Sequence, residues 1–201
     1  MLTPKRSLIF ILFVLISAIS SGQTKPAVTD YLNIKGPLTV SQKSYLLSWT
    51  SHPAPNYYKQ EYLVSGDNAE KFKSMVMVEV LTGTATPKSL LTAKMQELKT
   101  LKQTNPIVNY EVISNAKTGE YILDFLISAN GADGQPVILE RNVYRYMKLS
   151  PQAGKGVVLL AVSVRAYDNE IDTYLTGLKN TRNTLISEIA AFKLPAITLK
   201  K

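Results

Sequence analysis

The chain has 201 residues, 45% of them hydrophobic, with 23 Lys and Arg against 15 Asp and Glu, one histidine and no cysteine. The missing cysteine excludes disulfides, thiolate metal ligands, a cysteine nucleophile and a lipoprotein acylation site. The formal charge of +8 would admit a nucleic-acid partner, but the basic residues are scattered rather than gathered into an aromatic-interleaved patch, and the N-terminus points to export instead.

Residues 1–22 have the order of a secretory signal peptide: Lys5 and Arg6, an apolar run from Leu8 to Ile19, then Ser20, Ser21 and Gly22. The run is shorter than the roughly 20 residues that cross a bilayer, which favours cleavage near Gly22 over retention as an N-terminal anchor. Removing that segment leaves 21 Lys and Arg against 15 acids, a net charge of +6. Such an excess speaks to solubility, with at most weak association with anionic membrane surfaces. The localisation expected is periplasmic or secreted. The remaining length fits one domain with a real core, since a chain of this size buries roughly 70% of its unfolded surface.

Residues 23–36, with Pro26 and Gly36, read as an extended lead-in. In Lys43 to Trp49, period-two spacing puts Tyr45, Leu47 and Trp49 on one buried side of a strand. Two prolines, Pro53 and Pro55, end it. Tyr57 to Val64 alternates: Tyr58, Gln60, Tyr62 and Val64 share one face and Tyr57, Lys59, Glu61 and Leu63 the other, so the strand is half wet. Asp67 and Glu70 are spaced for a capped turn. Ser74 to Leu81 is apolar on both faces except for Glu79, the pattern of a central strand covered on both sides.

Thr86-Pro87 starts a helix, because proline at the first helical position costs no hydrogen bond. Leu91, Met95 and Leu98 make its apolar stripe, and Asn105-Pro106 ends it. Four strands follow, Ile107 to Ile113, Tyr121 to Ile127, Val137 to Met147 and Val157 to Ala166, joined by turn-forming segments into an antiparallel meander. A register pairing residues whose numbers sum to 265 sets Asp124 opposite Arg141 and Glu120 opposite Arg145, opposite-charge pairs that contribute about 0.2 to 1 kcal/mol each. A last helix begins at Asp168 or Asn169, carries Ile171, Tyr174, Leu175, Leu178, Leu185, Ile189 and Phe192 on one stripe, and is open to division at Gly177. Residues 37–193 form the domain, and 194–201 form a tail that is either an edge strand or disordered.

The chemistry on offer is sparse. His52, alone and between prolines, has no Gly-x-Ser-x-Gly elbow or His-Glu-x-x-His helix to support it and reads as structural. Glu61, Glu79, Asp124 and Glu140 are strand-borne acids of the kind a carboxylate-based hydrolase pairs, but each has a plain alternative as an ion-pair partner. Asn130 to Gly134 has oxygen donors and glycines yet lacks the alternating acids and terminal glutamate of a calcium loop, so it reads as a hairpin turn. Met75 and Met77 read as core filling. No catalytic residue, cofactor or metal site follows. Tyrosines are dense on the predicted strands, and their apolar body with a polar tip suits binding surfaces. The candidate interaction surface is Tyr57, Tyr58, Lys59 and Tyr62.

The element order, with Tyr57 to Tyr62 feeding the Met75 to Val80 strand, the Thr86-Pro87 helix start, Ile122-Leu123-Asp124-Phe125 and Asn142-Val143-Tyr144-Arg145-Tyr146, resembles the PsbP-like superfamily of small α/β sandwiches. The resemblance implies an α+β fold with a central, mainly antiparallel sheet of about six to seven strands flanked by two main helices. It also implies an accessory role, binding other proteins without a shared catalytic motif. The expectation is an exported, non-enzymatic accessory or binding protein of the bacterial cell envelope, whose partner is another envelope protein or a small ligand. The alternatives are a carboxylate-based hydrolase and a carrier of a small apolar ligand held between sheet and helix.

Overall fold

The structure, a computed structural model, describes residues 28–200. The signal peptide expected over residues 1–22 lies outside the described residues. Eight strands make one antiparallel sheet: β1 (Leu38–Val40), β2 (Lys43–Ala54), β3 (Tyr57–Val64), β4 (Ser74–Thr82), β5 (Asn109–Asn115), β6 (Glu120–Asn130), β7 (Pro136–Lys148) and β8 (Gly156–Tyr167). Their spatial order is β1-β2-β3-β4-β8-β7-β6-β5, so β4 and β8 lie at the centre. Helix α1 (Pro87–Leu101) joins β4 to β5, and α2 (Ile171–Ala191) follows β8 through a single 3-10 turn at Asp168–Glu170.

The helices cover opposite faces of the sheet. On one face, Leu91 and Leu98 of α1 pack with Met77, Leu123, Phe125, Tyr146, Leu159 and Ala161. On the other, Ile189 of α2 packs with Val76, Val78, Val80, Val143, Leu160 and Val162. That division is the period-two alternation of β4, β7 and β8 made physical. The sheet holds one strand more than the upper expectation. The extra strand is β1, three residues that pair with Lys43, Ser44 and Tyr45 through a turn at Ser41 and Gln42, both at positive φ. Three residues are too few to show a periodicity.

Helix α1 starts as its sequence requires. The Thr86 side chain accepts from the Ser89 amide and the Ser89 hydroxyl accepts from the Thr86 amide, a reciprocal cap around Pro87. Helix α2 runs unbroken through Gly177, because that glycine has helical neighbours on both sides and nothing to displace it. The capped turn after β3 is built on Asn68 rather than Asp67 alone: its Oδ1 accepts from the amides of Glu70 and Lys71, while Asp67 Oδ2 accepts from the Lys73 amide.

Two other expectations shift. Trp49 is not on the side of Tyr45 and Leu47, because a bulge between Leu47 and Trp49 rotates the strand and turns the indole outward, 44% exposed. Strand β2 also continues through Pro53 to Ala54, which an edge allows, since beyond Tyr45 no neighbouring strand needs the missing amide. Finally, β6 and β7 pair with residue numbers summing to 267, for example Asp124 with Val143 and Ile122 with Arg145. The proposed register was therefore two residues out. A slip of two keeps every side chain on its face, and the two ion pairs form as diagonal contacts, Arg141 Nε to Asp124 Oδ1 at 2.9 Å and Arg145 Nη2 to Glu120 Oε2 at 2.8 Å.

The segment from Val28 to Gly36 has no regular secondary structure but buries Leu32 and Ile34 on the α2 face. Its partner is the tail: the amides of Thr198 and Lys200 donate to the carbonyls of Leu32 and Tyr31, and Ile197 is buried beside them.

Candidate functional site

Strand β3 splits the four residues of the expected interaction surface between two faces. Tyr58 and Tyr62 point to the α2 side, where they are 5% and 1% exposed. There the His52 ring stacks on Tyr58 at 4.0 Å between centroids, and Tyr31 closes over both. The Tyr62 hydroxyl accepts from Gln60 Nε2, and Gln60 Oε1 in turn accepts from the Leu32 amide. These two tyrosines are core, and no surface of four residues exists. The cause is the lead-in, which with the tail covers this face of β3 where neither helix reaches. His52 is structural as well: its Nδ1 lies 2.9 Å from the Tyr57 carbonyl oxygen.

Tyr57 and Lys59 face the other side, and there the sheet is open. Helix α1 contacts β6 and β7, leaving the outer half of this face, on β2 and β3, without a helix. Trp49 and Leu46 are 44% and 51% exposed on it. Lys59 links the group: its ammonium is 2.9 Å from Glu61, 4.0 Å from Glu79 and 5.6 Å from the centre of the Trp49 ring. Burial pushes the Glu79 carboxyl up from its ordinary pKa, and the Glu61 charge adds to this; Lys59, the Tyr57 hydroxyl and Lys94 of α1 pull it down. Burial also raises the Tyr57 phenol, with Glu79 and Glu61 reinforcing it. The result is an apolar patch around one lysine and two carboxylates. Such a surface can be covered by another molecule.

The remaining strand acids are engaged elsewhere. Glu140 accepts from Arg165 Nε at 2.5 Å on the α1 side. Asp124 is 4% exposed beneath α2 and holds two guanidiniums at once, Arg141 Nε at 2.9 Å and Arg182 Nε at 2.6 Å. Arg182 also reaches Glu111 on β5 at 2.5 Å. A cavity of about 370 Å³ opens beside this network between α2 and the β5–β6 side of the sheet. Sequence reasoning paired Asp124 with Arg141 but missed Arg182 and Glu111. Arg182 is a polar position on the last helix, and only the angle at which α2 crosses the sheet brings it over Asp124.

Asn130 to Gly134 is a hairpin connection. The Gly131 amide donates to the Gln135 carbonyl and Asp133 Oδ1 accepts from the Gln135 amide, so its oxygens serve the turn. Among the described residues, no group of three or more His, Asp or Glu side chains converges as metal ligands, and no helix is long and apolar enough to cross a membrane.

No curated protein matches the chain. One solved structure, LpqN involved in cell envelope biogenesis of Mycobacterium tuberculosis, is similar at 16% identity over 86% of this chain and 81% of that chain, with a TM-score of 0.33. A likeness that distant carries no argument about activity or ligand. A protein-family model, in contrast, matches residues 32–194, from the buried lead-in to the end of α2 and just beyond, and the chain belongs to that family.

Proposed function

We propose that the protein is an exported, non-enzymatic accessory protein of the cell envelope that docks another envelope protein on the open face of β2 and β3. The observation that carries this reading is the exposed pair Trp49 and Leu46, seated beside the Lys59–Glu61 ion pair on the half of the sheet that no helix covers. Aromatic residues backed by a basic side chain are the usual anchors of protein interfaces. The N-terminal order of basic, apolar and small residues supports export, and the element order supports the resemblance to PsbP-like sandwiches. The partner's chemistry follows from the surface: an apolar recess to take the indole, bordered by charges that complement Lys59 and Glu61.

A photo-crosslinking amino acid at position 49 tests this in intact cells. The same residue at Glu97, on the exposed side of α1, is the control. The expected result is one discrete adduct from position 49 and none from 97; the partner identified from it then binds the purified mature chain, and Trp49→Ala weakens that binding at least tenfold. Equal labelling from both positions, or unchanged affinity after Trp49→Ala, would overturn the reading.

A further inference from the structure

Two arginines of β7 hold α2 to the sheet with unequal completeness. Arg145 donates Nε and Nη2 to Glu120, and Nη1 to the carbonyls of Ile189 and Phe192, so all three of its nitrogens have acceptors. Arg141 donates Nε to Asp124 and Nη2 to the Arg182 carbonyl, which leaves Nη1 without a carbonyl or carboxylate acceptor among the described residues. The Tyr174 phenol oxygen accepts a further hydrogen bond from Arg141, and this bond and the Arg141 charge oppose the upward shift that burial gives the phenol.

No buried side-chain nitrogen or oxygen among the described residues lacks a partner. Arg141 lines the cavity of about 370 Å³ on the β5–β6 side of α2 and also a second cavity, of about 290 Å³, on the other flank beside Tyr45 and Leu185.

The charge of the larger cavity is also unbalanced. Arg141, Lys179 and Arg182 face two acids, Asp124 and Glu111. Asp124 is saturated, with one guanidinium on each oxygen. Glu111 holds Arg182 from the rim with a side chain 55% exposed, so it can swing into water at little cost. Lys179 has no ion-pair partner among the described residues. Beside these cations the wall is apolar, formed by Leu126, Leu175 and Leu178.

We infer that this cleft binds a small amphipathic carboxylate: the carboxylate displaces Glu111 from Arg182 beside Lys179, and a single alkyl chain lies along Leu126, Leu175 and Leu178. A guanidinium suits the head because it offers parallel donors in the fork geometry that a carboxylate matches. The volume sets the size. It lies at the low end of the roughly 300–1,000 Å³ of ligand sites, enough for one short chain and too little for a two-chain lipid. This site lies on the α2 face and is independent of the partner surface on the opposite face, so either can fail alone.

Calorimetric titration of the purified mature chain with decanoate, decanol and acetate provides the test. Decanoate is expected to bind one to one and saturably, with decanol and acetate each at least tenfold weaker. Glu111→Gln, which removes the competing carboxylate without touching the core, is expected to tighten decanoate severalfold. Leu178→Trp, which fills the cleft from a half-buried position, is expected to abolish it. Decanol binding as well as decanoate, no saturable binding of decanoate, a Glu111→Gln variant no tighter than the parent, or decanoate binding that survives Leu178→Trp would each overturn the inference.

Discussion

Arg141 and Asp124 are diagonal rather than direct neighbours across β6 and β7: Asp124 pairs with Val143 and Arg141 with Leu126, yet the ion pair closes at 2.9 Å. Both side chains are nearly inaccessible, so the pair is worth most when broken. Replacing Arg141 by Met strands a buried carboxylate that keeps only Arg182, and is expected to cost about 3 kcal/mol, the low end for breaking a buried pair. The double variant Asp124→Leu with Arg141→Met removes both charges and is expected to recover most of that loss, as measured by urea denaturation. A double variant no more stable than the single one would contradict the account.

Arg145 terminates α2. Its Nη1 sits on the carbonyls of Ile189 and Phe192, where the helix leaves acceptors unpaired and carries its negative end. Arg145→Gln is expected to cost up to about 2 kcal/mol. Amide exchange should quicken from Leu185 to Phe192 while the β4–β8 ladder keeps its protection.

Glycines predict opposite signs. At Gly156, φ is +149° and a Cβ would lie 2.2 Å from the Leu81 carbonyl oxygen on the neighbouring strand, so Gly156→Ala should lose at least about 2 kcal/mol through strain and a broken β4–β8 register. At Gly177 a Cβ meets nothing within 4 Å and the backbone is helical, so Gly177→Ala should stabilise by about 1 kcal/mol. Thermal melts of the two variants against the parent decide both.

Glu79 gives a pH signature. Burial lifts its carboxyl above the ordinary range, so between the unfolded and folded titrations the native state holds the extra proton and stability falls as pH rises through that interval. Glu79→Gln removes this dependence. The stability of the variant relative to the parent should therefore grow as pH rises above the ordinary carboxylate range and then level off, and a difference that shrinks with rising pH would refute the assignment.

Trp49 and Tyr62 separate surface from core. Trp49→Ala should change stability by no more than about 0.5 kcal/mol, whereas Tyr62→Ala, at 1% exposure, should cost about 3 to 5 kcal/mol. Denaturation of the two variants checks this before any binding experiment is read.

These contrasts show what kinds of information the residue order carries. Alternation in Tyr57 to Val64 and Ser74 to Leu81 divides their side chains between two faces, and the structure keeps that division at Val76, Val78 and Lys59. Charge pairing found Asp124 with Arg141 and Glu120 with Arg145 despite a register two residues out, since such a slip preserves the face. The bulge before Trp49 has no residue signature, so period-two spacing assigns to the core the side chain now central to the proposed docking surface. Tyr58 and Tyr62 failed in the opposite direction. Their burial depends on residues 31–34 and 194–199, which have no regular structure and hence no periodicity to read. Arg182 and Glu111 come together only through the path of α2 over the sheet, a tertiary relation that no local pattern encodes.

The pairing of Leu32 with Thr198 has a bearing on the timing of folding. Strands β3 to β8 carry their own ladders, but Tyr58 and Tyr62 stay wet until the segment at Tyr31 and Leu32 meets the one at Thr198 and Lys200. Closing so long a loop is slow. That face of the sheet is therefore expected to close late, after the β4–β8 ladder has formed.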